Sequence, residues 1–396
     1  LSENTITAVG HRSSGPVRSI RARLLVDGVE HPETRVEQAT WNRTRYSRAD
    51  TADLTLAVDR AKLNAAGKKW FDPVAADGAL PPDVKVVLQL RDETVTNATW
   101  KTVFSGLADR VKWSPTQTRV EVECRDMLAK LLDLRVREAW MNKTGPEVIK
   151  AVAAAAGLSA EVKLSSGMTG QFWQLEHKRS SAATHHKFQT AFDLARYIAD
   201  EFGCDLYAEG ETIVCQPVGS PSDSGAHIHA FHYNDPGPTS AIQAGALSLT
   251  LERDFLTSKN VVVHVMSWDS RQRTRAETYF SADGHSRTLA ENAGTLYSYR
   301  FSGLRQEQIE RKAEALYRQI IAHDRTVSLN IPGRITLEPR HFMRFSGTGS
   351  TWDLTGDDAY AVDAVSSTFG ADGSFLQDVT LRNREASNGG NSDSTE

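Results

Sequence analysis

Arg119-Val120-Glu121-Val122-Glu123-Cys124-Arg125 alternates without a break, with Val120, Val122 and Cys124 on one side and Glu121, Glu123 and Arg125 on the other. Period-two alternation places one face of a strand in a core and the other in water, the signature of a half-buried antiparallel sheet. Similar runs lie upstream. Val84 to Leu90 sets Val84, Val86, Leu88 and Leu90 on one face, Asp53 to Asp59 does so with Leu54, Leu56 and Val58, and Ser19 to Asp27 with Ile20, Ala22, Leu24 and Val26. The N-terminal part is therefore read as an antiparallel β structure.

The C-terminal part has the same texture, with strands expected at Ala246 to Leu251, Asn260 to Trp268, Thr326 to Ile331, His341 to Ser346, Tyr360 to Thr368 and Phe375 to Asn383. The two parts also share a rhythm. A strand at Val84 is followed 19 residues later by one at Val103 and 17 later by one at Val120; one at His341 is followed 19 later by Tyr360 and 19 later by Val379. Each series closes on an alternating strand with a basic end, Cys124-Arg125-Asp126 and Leu381-Arg382-Asn383-Arg384. Repetition at this scale suggests two copies of one β-barrel module.

Between them the pattern turns helical. Thr144-Gly145-Pro146-Glu147 carries Pro at the first helical position and an acid in the first turn, and the run that follows stops at Gly157. Thr190 with Asp193 is a shortened capping box for a helix whose stripe is Phe192, Ala195, Ile198, Ala199 and Phe202, ended by Gly203. A hairpin is expected over Cys204–Gln216. If Glu209-Gly210 is its two-residue turn, Ala208 pairs with Glu211 and Cys204 lies directly opposite Cys215, as packed, reduced thiols. The segment from Pro217 to Pro238 reads as a loop and domain boundary. Leu304 to His323 is the longest helix, with Ile309, Ala313, Leu316 and Ile320 on its apolar face. The fold class expected is α+β, β-rich and multidomain: barrel-like domain 1–140, α/β insert 141–245, barrel-like domain 246–385, and a mobile polar tail at 386–396.

At 396 residues the chain exceeds one ordinary core. Forty-six basic against fifty acidic side chains give a net charge of −4, without the basic stripe of a protein that grips nucleic acid. No apolar run reaches the length of a membrane span, so no membrane insertion is expected. No signal peptide pattern opens the sequence, and three scattered cysteines suit folding in a reducing cytoplasm.

Three segments carry a family resemblance: Val103-Phe104-Ser105-Gly106 through Asp126; Leu194-Ala195 through Phe202-Gly203-Cys204-Asp205-Leu206-Tyr207; and Arg311 to Asp324 with Gly333, Pro339 and the closing strands to Arg384. In order and spacing they resemble phage tail hub proteins, the late-control-D-like family that includes the base of type VI secretion spikes. That resemblance implies a structural baseplate hub of a virion, assembled in the host cytoplasm. It implies two tube-like β-barrel domains per chain and a homotrimer that matches a sixfold tail tube to a threefold spike, with tail tube protein, spike protein and other baseplate proteins as partners. DNA would pass through its channel without specific binding, past an acidic or neutral wall. The long helix is expected to pack on the outside of the second barrel.

No catalytic, metal or cofactor residue is assigned, and no enzyme activity is expected. The sequence lacks G-x-S-x-G, H-E-x-x-H, a Walker loop and a Cys-x-x-Cys pair. Glu201 with Asp205, or Glu209 with Glu211, offer two carboxylates of the kind a glycosidase uses, and a secreted glycan-binding protein or glycoside hydrolase is the alternative class. As isolated acids they are read instead as the solvated ends of a helix and a hairpin. His177, His185 and His186, and His227, His229 and His232, form two histidine groups without a fourth ligand, read as exposed loop histidines. The basic run His177-Lys178-Arg179 with Lys187 is read as a solvated loop, and Trp41, Trp70, Trp100 and Trp113 as core or sheet-edge packing.

Overall fold

The computed structural model describes residues 4–6, 18–45, 48–66, 70–71, 83–136, 143–164, 190–234, 243–255, 261–269, 274–289, 294–302, 306–321, 324–347, 352–353 and 359–383. The chain is β-rich, with large antiparallel sheets and a few helices. The expected tail at 386–396 lies outside the described residues.

After β1 (Asn4–Ile6), the N-terminal part holds β2 (Ile20–Val26), β3 (Val29–Glu30), β4 (Thr34–Thr44), β5 (Thr51–Val58), α1 (Arg60–Ala66), β6 (Lys85–Asp92), β7 (Lys101–Ser114) and β8 (Arg119–Asp126). Its strands pair in the order β4-β5-β8-β7-β6-β2, all antiparallel. The alternating residues do what their period dictates: Leu54, Leu56, Leu88, Leu90, Val120 and Val122 are buried together.

Next come α2 (Leu128–Asp133), α3 (Gly145–Ala155), β9 (Ser159–Val162), α4 (Ala191–Glu201), β10 (Cys204–Glu209) and β11 (Thr212–Pro217). The strands form a sheet in the order β10-β11-β9, and its Leu206, Ile213 and Cys215 share a core with Val148, Ile149 and Val152 of α3 and Leu194, Ala195 and Ile198 of α4. Both helix starts form as expected, the Thr144 N–H donating to the Glu147 carboxylate at 2.8 Å and the Asp193 N–H to the Thr190 hydroxyl at 3.1 Å.

The hairpin corrects the expected register. Glu209 pairs with Thr212, so Gly210-Glu211 makes the turn, and Cys204 faces Pro217 while Cys215 faces Leu206. Gly210 holds φ +59°, and a two-residue turn with glycine first spares Glu209 the positive φ that the other register demands. The slip is two positions in pairing, so both thiols stay on one sheet face, diagonal to each other. Both are buried and free, and the buried Cys204 beside Cys215 raises the Cys215 thiol above its ordinary value.

The C-terminal part holds β12 (Ile228–Asn234), β13 (Gln243–Ala244), β14 (Ser248–Arg253), β15 (Val262–Asp269), β16 (Thr274–Ser281), β17 (Gly284–Ser286), β18 (Leu296–Ser302), α5 (Gln306–Ile321), β19 (Arg325–Pro332), β20 (Phe342–Ser346), β21 (Tyr360–Gly370) and β22 (Phe375–Arg382). Six of these pair in the order β14-β19-β22-β21-β20-β12. The short β13 pairs with β12, and β15 to β18 form a separate four-stranded sheet, β17-β16-β15-β18. Helix α5 covers that sheet: Ile309 and Ala313 are buried against Val263 and Val265. Its apolar stripe is the one read from sequence, but it serves the added sheet rather than the outside of a barrel, because the valine face of β15 is the apolar surface in need of cover.

The two sets of strands are one pattern used twice. In each, the first strand (β4 or β14) pairs with the second (β5 or β19), the second with the fifth (β8 or β22), that with the preceding long strand (β7 or β21), and that in turn with the shorter strand before it (β6 or β20). The repeat extends to an irregularity. The β7–β8 register shifts between Ala108 and Arg110, leaving Asp109 extra, and the β21–β22 register shifts between Val362 and Ala364, leaving Asp363 extra. Each bulge aspartate takes an ion pair from the arginine at the same place on the partner strand, Arg125 to Asp109 and Arg382 to Asp363.

Gly106 sits where β7 passes closest to β8: a Cβ there would lie 2.1 Å from the Arg125 carbonyl oxygen. Gly106→Ala is expected to lower the stability of the first repeat by about 1–3 kcal/mol, read as a shifted urea midpoint with unchanged slope.

Candidate functional site at the junction of the repeats

β21 belongs to both repeats. One edge pairs with β22; the other begins against β20 (Phe342↔Ala361, Met343↔Tyr360) and then runs along β4 from Ala364↔Thr44 to Gly370↔Gln38. The Arg45 N–H donates to the Asp363 carbonyl at 2.9 Å, just before that seam. Phe369 and Phe375 enter the first repeat's core, where Phe375 stacks on Trp41 at 5.7 Å between centroids.

Beside the seam lies a cleft of about 1020 Å³ whose wall is charged, with Arg43 and Asp50 from the first repeat, Asp205 and Tyr207 from β10, and Glu338 and Arg340 from the second repeat. Arg43 bridges the two repeats, 3.1 Å from Glu338 and 3.4 Å from Asp50. Arg340 lies 3.8 Å over the Tyr207 ring, held at φ +75°, a conformation that long side chains rarely adopt. Arg45, with a side chain only 2% exposed, ion-pairs with Asp205. Burial, reinforced by the charge of Asp50, pushes the Asp126 carboxyl up to about 8, and backbone hydrogen bonds offset this only in part. Burial also raises Asp363 to about 6 against the pull of Arg45 and Arg382.

A second polar group lies at the same end. His229 of β12, His227 and His341 stack, with ring centroids 5.4 and 4.7 Å from His341, and His229 Nε2 is 3.2 Å from His341 Nδ1. Burial lowers both His229 and His341 to about 4, so at neutral pH they are a pair of uncharged imidazoles sharing a hydrogen bond. Among the described residues no group of three His, Cys, Asp or Glu has the arrangement to hold a metal ion.

The candidate residues from the sequence fare differently. Asp205 is no solvated acid: it is buried in β10 and neutralised by Arg45, while Glu201 ends α4. Glu209 is exposed, and Glu211 at the turn is ion-paired with Lys85. His227 is exposed just before β12, as expected of a loop histidine, but β12 runs through the expected boundary and carries the other two: His229 is buried, and the exposed His232 meets the Ser346 hydroxyl at 2.8 Å. His177, Lys178, Arg179, His185, His186 and Lys187 lie outside the described residues. Trp41 is core; Trp100 lies beneath the guanidinium groups of Arg23 and Arg91 at 4.4 and 4.7 Å; Trp70 and Trp113 pack on Phe71. Sequence reading missed Arg43, Arg45, Asp126 and Asp363. Only Asp363 left a signal, as the lone charge in the apolar run Tyr360-Ala361-Val362-Asp363-Ala364-Val365.

No family model and no curated protein matches the chain by sequence. Solved structures do match it. The tail protein from Neisseria meningitidis MC58 is 12% identical, with TM-score 0.62 over 92% of this chain and 96% of that one. The 43 kDa tail protein of prophage MuSo2 from Shewanella oneidensis is 11% identical, with TM-score 0.58 over 92% and 98%. An E. coli protein described as a component of the type VI secretion system is 11% identical, with TM-score 0.51 over 92% and 78%. The chain thus has the fold of phage tail proteins and of a type VI secretion component, as the resemblance read from its sequence implied.

Arg45→Met strands Asp205 and is expected to cost about 3–5 kcal/mol in chemical unfolding, whereas Lys85→Ala, at an exposed ion pair, leaves the midpoint nearly unchanged. Asp126 binds a proton in the folded state that the unfolded chain releases above its ordinary pKa. Its contribution to stability is full below about pH 4 and is lost as pH rises through about 8. The two imidazoles act in the opposite sense, losing stability as pH falls from their ordinary value through about 4. Asp126→Asn should therefore flatten the decline in melting temperature between about pH 5 and 8.5; a decline equal to the wild type's would show that Asp126 is already ionised.

Proposed function

We propose that this chain is the structural hub at the base of a phage-type tail, joining a sixfold tail tube to a threefold spike and lining the channel through which DNA leaves. Residues 1–140 and 246–385 act as two tube-like β-barrel domains and 141–245 as an α/β insert between them. Three chains form a ring and present six similar modules to the tube, with spike and other baseplate proteins as further partners. The particle is assembled in the host cytoplasm and becomes part of the virion. The observation that carries this reading is the internal repeat, matched down to the bulge aspartate and its arginine and fused side by side through β21 and β4. A chain that carries the same module twice turns threefold symmetry into six equivalent docking surfaces. The fold shared with tail proteins supports it. The work of the molecule is assembly, by strand pairing and apolar burial.

Size-exclusion chromatography with light scattering is expected to give a particle of three chains; a chain that stays monomeric at tens of micromolar would refute the ring. With its net charge of −4, the channel wall is expected to be acidic or neutral. Double-stranded DNA should accordingly show no retardation by the assembled ring at about 150 mM salt, and micromolar binding that weakens steeply with salt would point to a basic lumen instead.

A further inference from the structure

The repeat gives more than a count of modules, because it identifies an edge pairing that one chain makes only once. Beyond its bulge, β21 pairs along β4, with Ala364↔Thr44, Val365↔Arg43, Ser366↔Asn42, Ser367↔Trp41 and Thr368↔Thr40. The strand that corresponds to β21 is β7, and β6 covers β7 only from Lys101 to Leu107. From Arg110 to Ser114 that edge faces no strand among the described residues. The strand that corresponds to β4 is β14, which among the described residues pairs only with β19. Among the described residues, one chain therefore has one satisfied seam and the two unmatched halves of a second.

Resting on the ring proposed above, we infer that the β7 edge of one chain pairs antiparallel with the β14 edge of a second copy, in the register that β21 and β4 display. The bulges align Ala364 with Arg110 and Ser366 with Lys112. The pairing of β4 with β5 (Asn42↔Thr51), of β14 with β19 (Glu252↔Thr326), and of Thr51 and Thr326 with Arg125 and Arg382 aligns Asn42 with Glu252. Transferred to the open edges, the register sets Arg110 against Asp254, Lys112 against Glu252, Trp113 against Leu251 and Ser114 against Thr250.

The chemistry of these residues agrees, although symmetry alone did not require it. Where the seam is intramolecular the corresponding pairs are uncharged, Thr44 with Ala364 and Asn42 with Ser366. In the second seam two cations would meet two anions. Arg110 and Lys112 reach across β8 to Glu123 and Glu121 yet stay 67% and 59% exposed. Pairing β7 with β7 would oppose cations, and β14 with β14 would oppose anions, so the charges select the head-to-tail contact that generates a closed ring. On the other face Trp113, which packs on Phe71, would meet Leu251, which packs on the second repeat's core.

The Arg45 N–H to Asp363 carbonyl bond marks that pair as hydrogen-bonded. By alternation Asn42 with Ser366, and hence Glu252 with Lys112, is a non-hydrogen-bonded pair, whose Cα atoms lie about 4.5 Å apart, within disulfide reach. The test is the full chain carrying Lys112→Cys and Glu252→Cys, oxidised and run on a non-reducing gel. Intermolecular ladders ending at three chains are expected, and none from either single variant or from Lys112→Cys with Leu251→Cys, where the second thiol points to the opposite face; Cys124, Cys204 and Cys215 are buried and do not interfere. In parallel, Glu252→Lys should weaken assembly about tenfold or more, and adding Lys112→Glu should restore it. If the wild type forms a ring of three but the cysteine pair does not link and the charge exchange does not rescue, this edge pairing is overturned while the ring stands. If the wild type remains monomeric, both fall.

Discussion

The seam between β4 and β21 is the constraint on which the rest of the molecule depends. A strand edge presents a row of unpaired N–H and C=O groups and must be paired, covered or guarded by charge. Here the exposed edge of the first repeat is closed by the long strand of the second, and the closure carries two phenylalanines into the first core beside Trp41. The repeats are therefore not beads on a linker. Their relative position is fixed by a hydrogen-bonded register and by shared apolar packing.

That fixed placement explains the charge network around it. In the first repeat, the bulge aspartate Asp109 and Arg125 are about one-third exposed; in the second, Asp363 is 2% exposed because β4 and Arg45 cover it. The same covalent pattern thus becomes a surface ion pair in one copy and a buried ion pair, with its acid raised to about 6, in the other. Arg43, Arg45 and Arg340 converge on this place because each buried carboxylate needs a counter-charge, and removal of one partner leaves the other uncompensated. The cleft is a polar joint between three structural regions. Asp50, Asp205 and Glu338 are each paired with an arginine, and burial keeps His341 uncharged at neutral pH.

The repeats have diverged where insertion costs least. Between β4 and β5 the chain turns within a few residues, whereas between the corresponding β14 and β19 it builds a four-stranded sheet and α5. Connections on the surface tolerate such additions because the paired strands on either side keep their hydrogen bonds. The addition forms a core of its own, Val263 and Val265 against Ile309 and Ala313, so the second repeat's sheet is left undisturbed.

Local patterns were legible in the sequence because they are written in residues near one another. The alternation of Val120, Val122 and Cys124 fixed a strand and its buried face, Thr144 and Thr190 fixed two helix starts, and the spacing of Val84, Val103 and Val120 against His341, Tyr360 and Val379 located the strands that the structure shows to be equivalent. The turn at Gly210-Glu211 lay one residue from its expected place, because either two-residue frame keeps the apolar pattern and only the backbone demand for glycine at the first turn position decides between them. What only the tertiary structure decided are relations between distant residues: Asp205 neutralised by Arg45, His229 stacked with His341, α5 laid on β15, and β21 shared between two repeats. A charged residue reads the same in sequence whether water or an arginine from another region faces it. Burial of the charge and choice of strand partner arise only when separate segments compete for the same edges and cores.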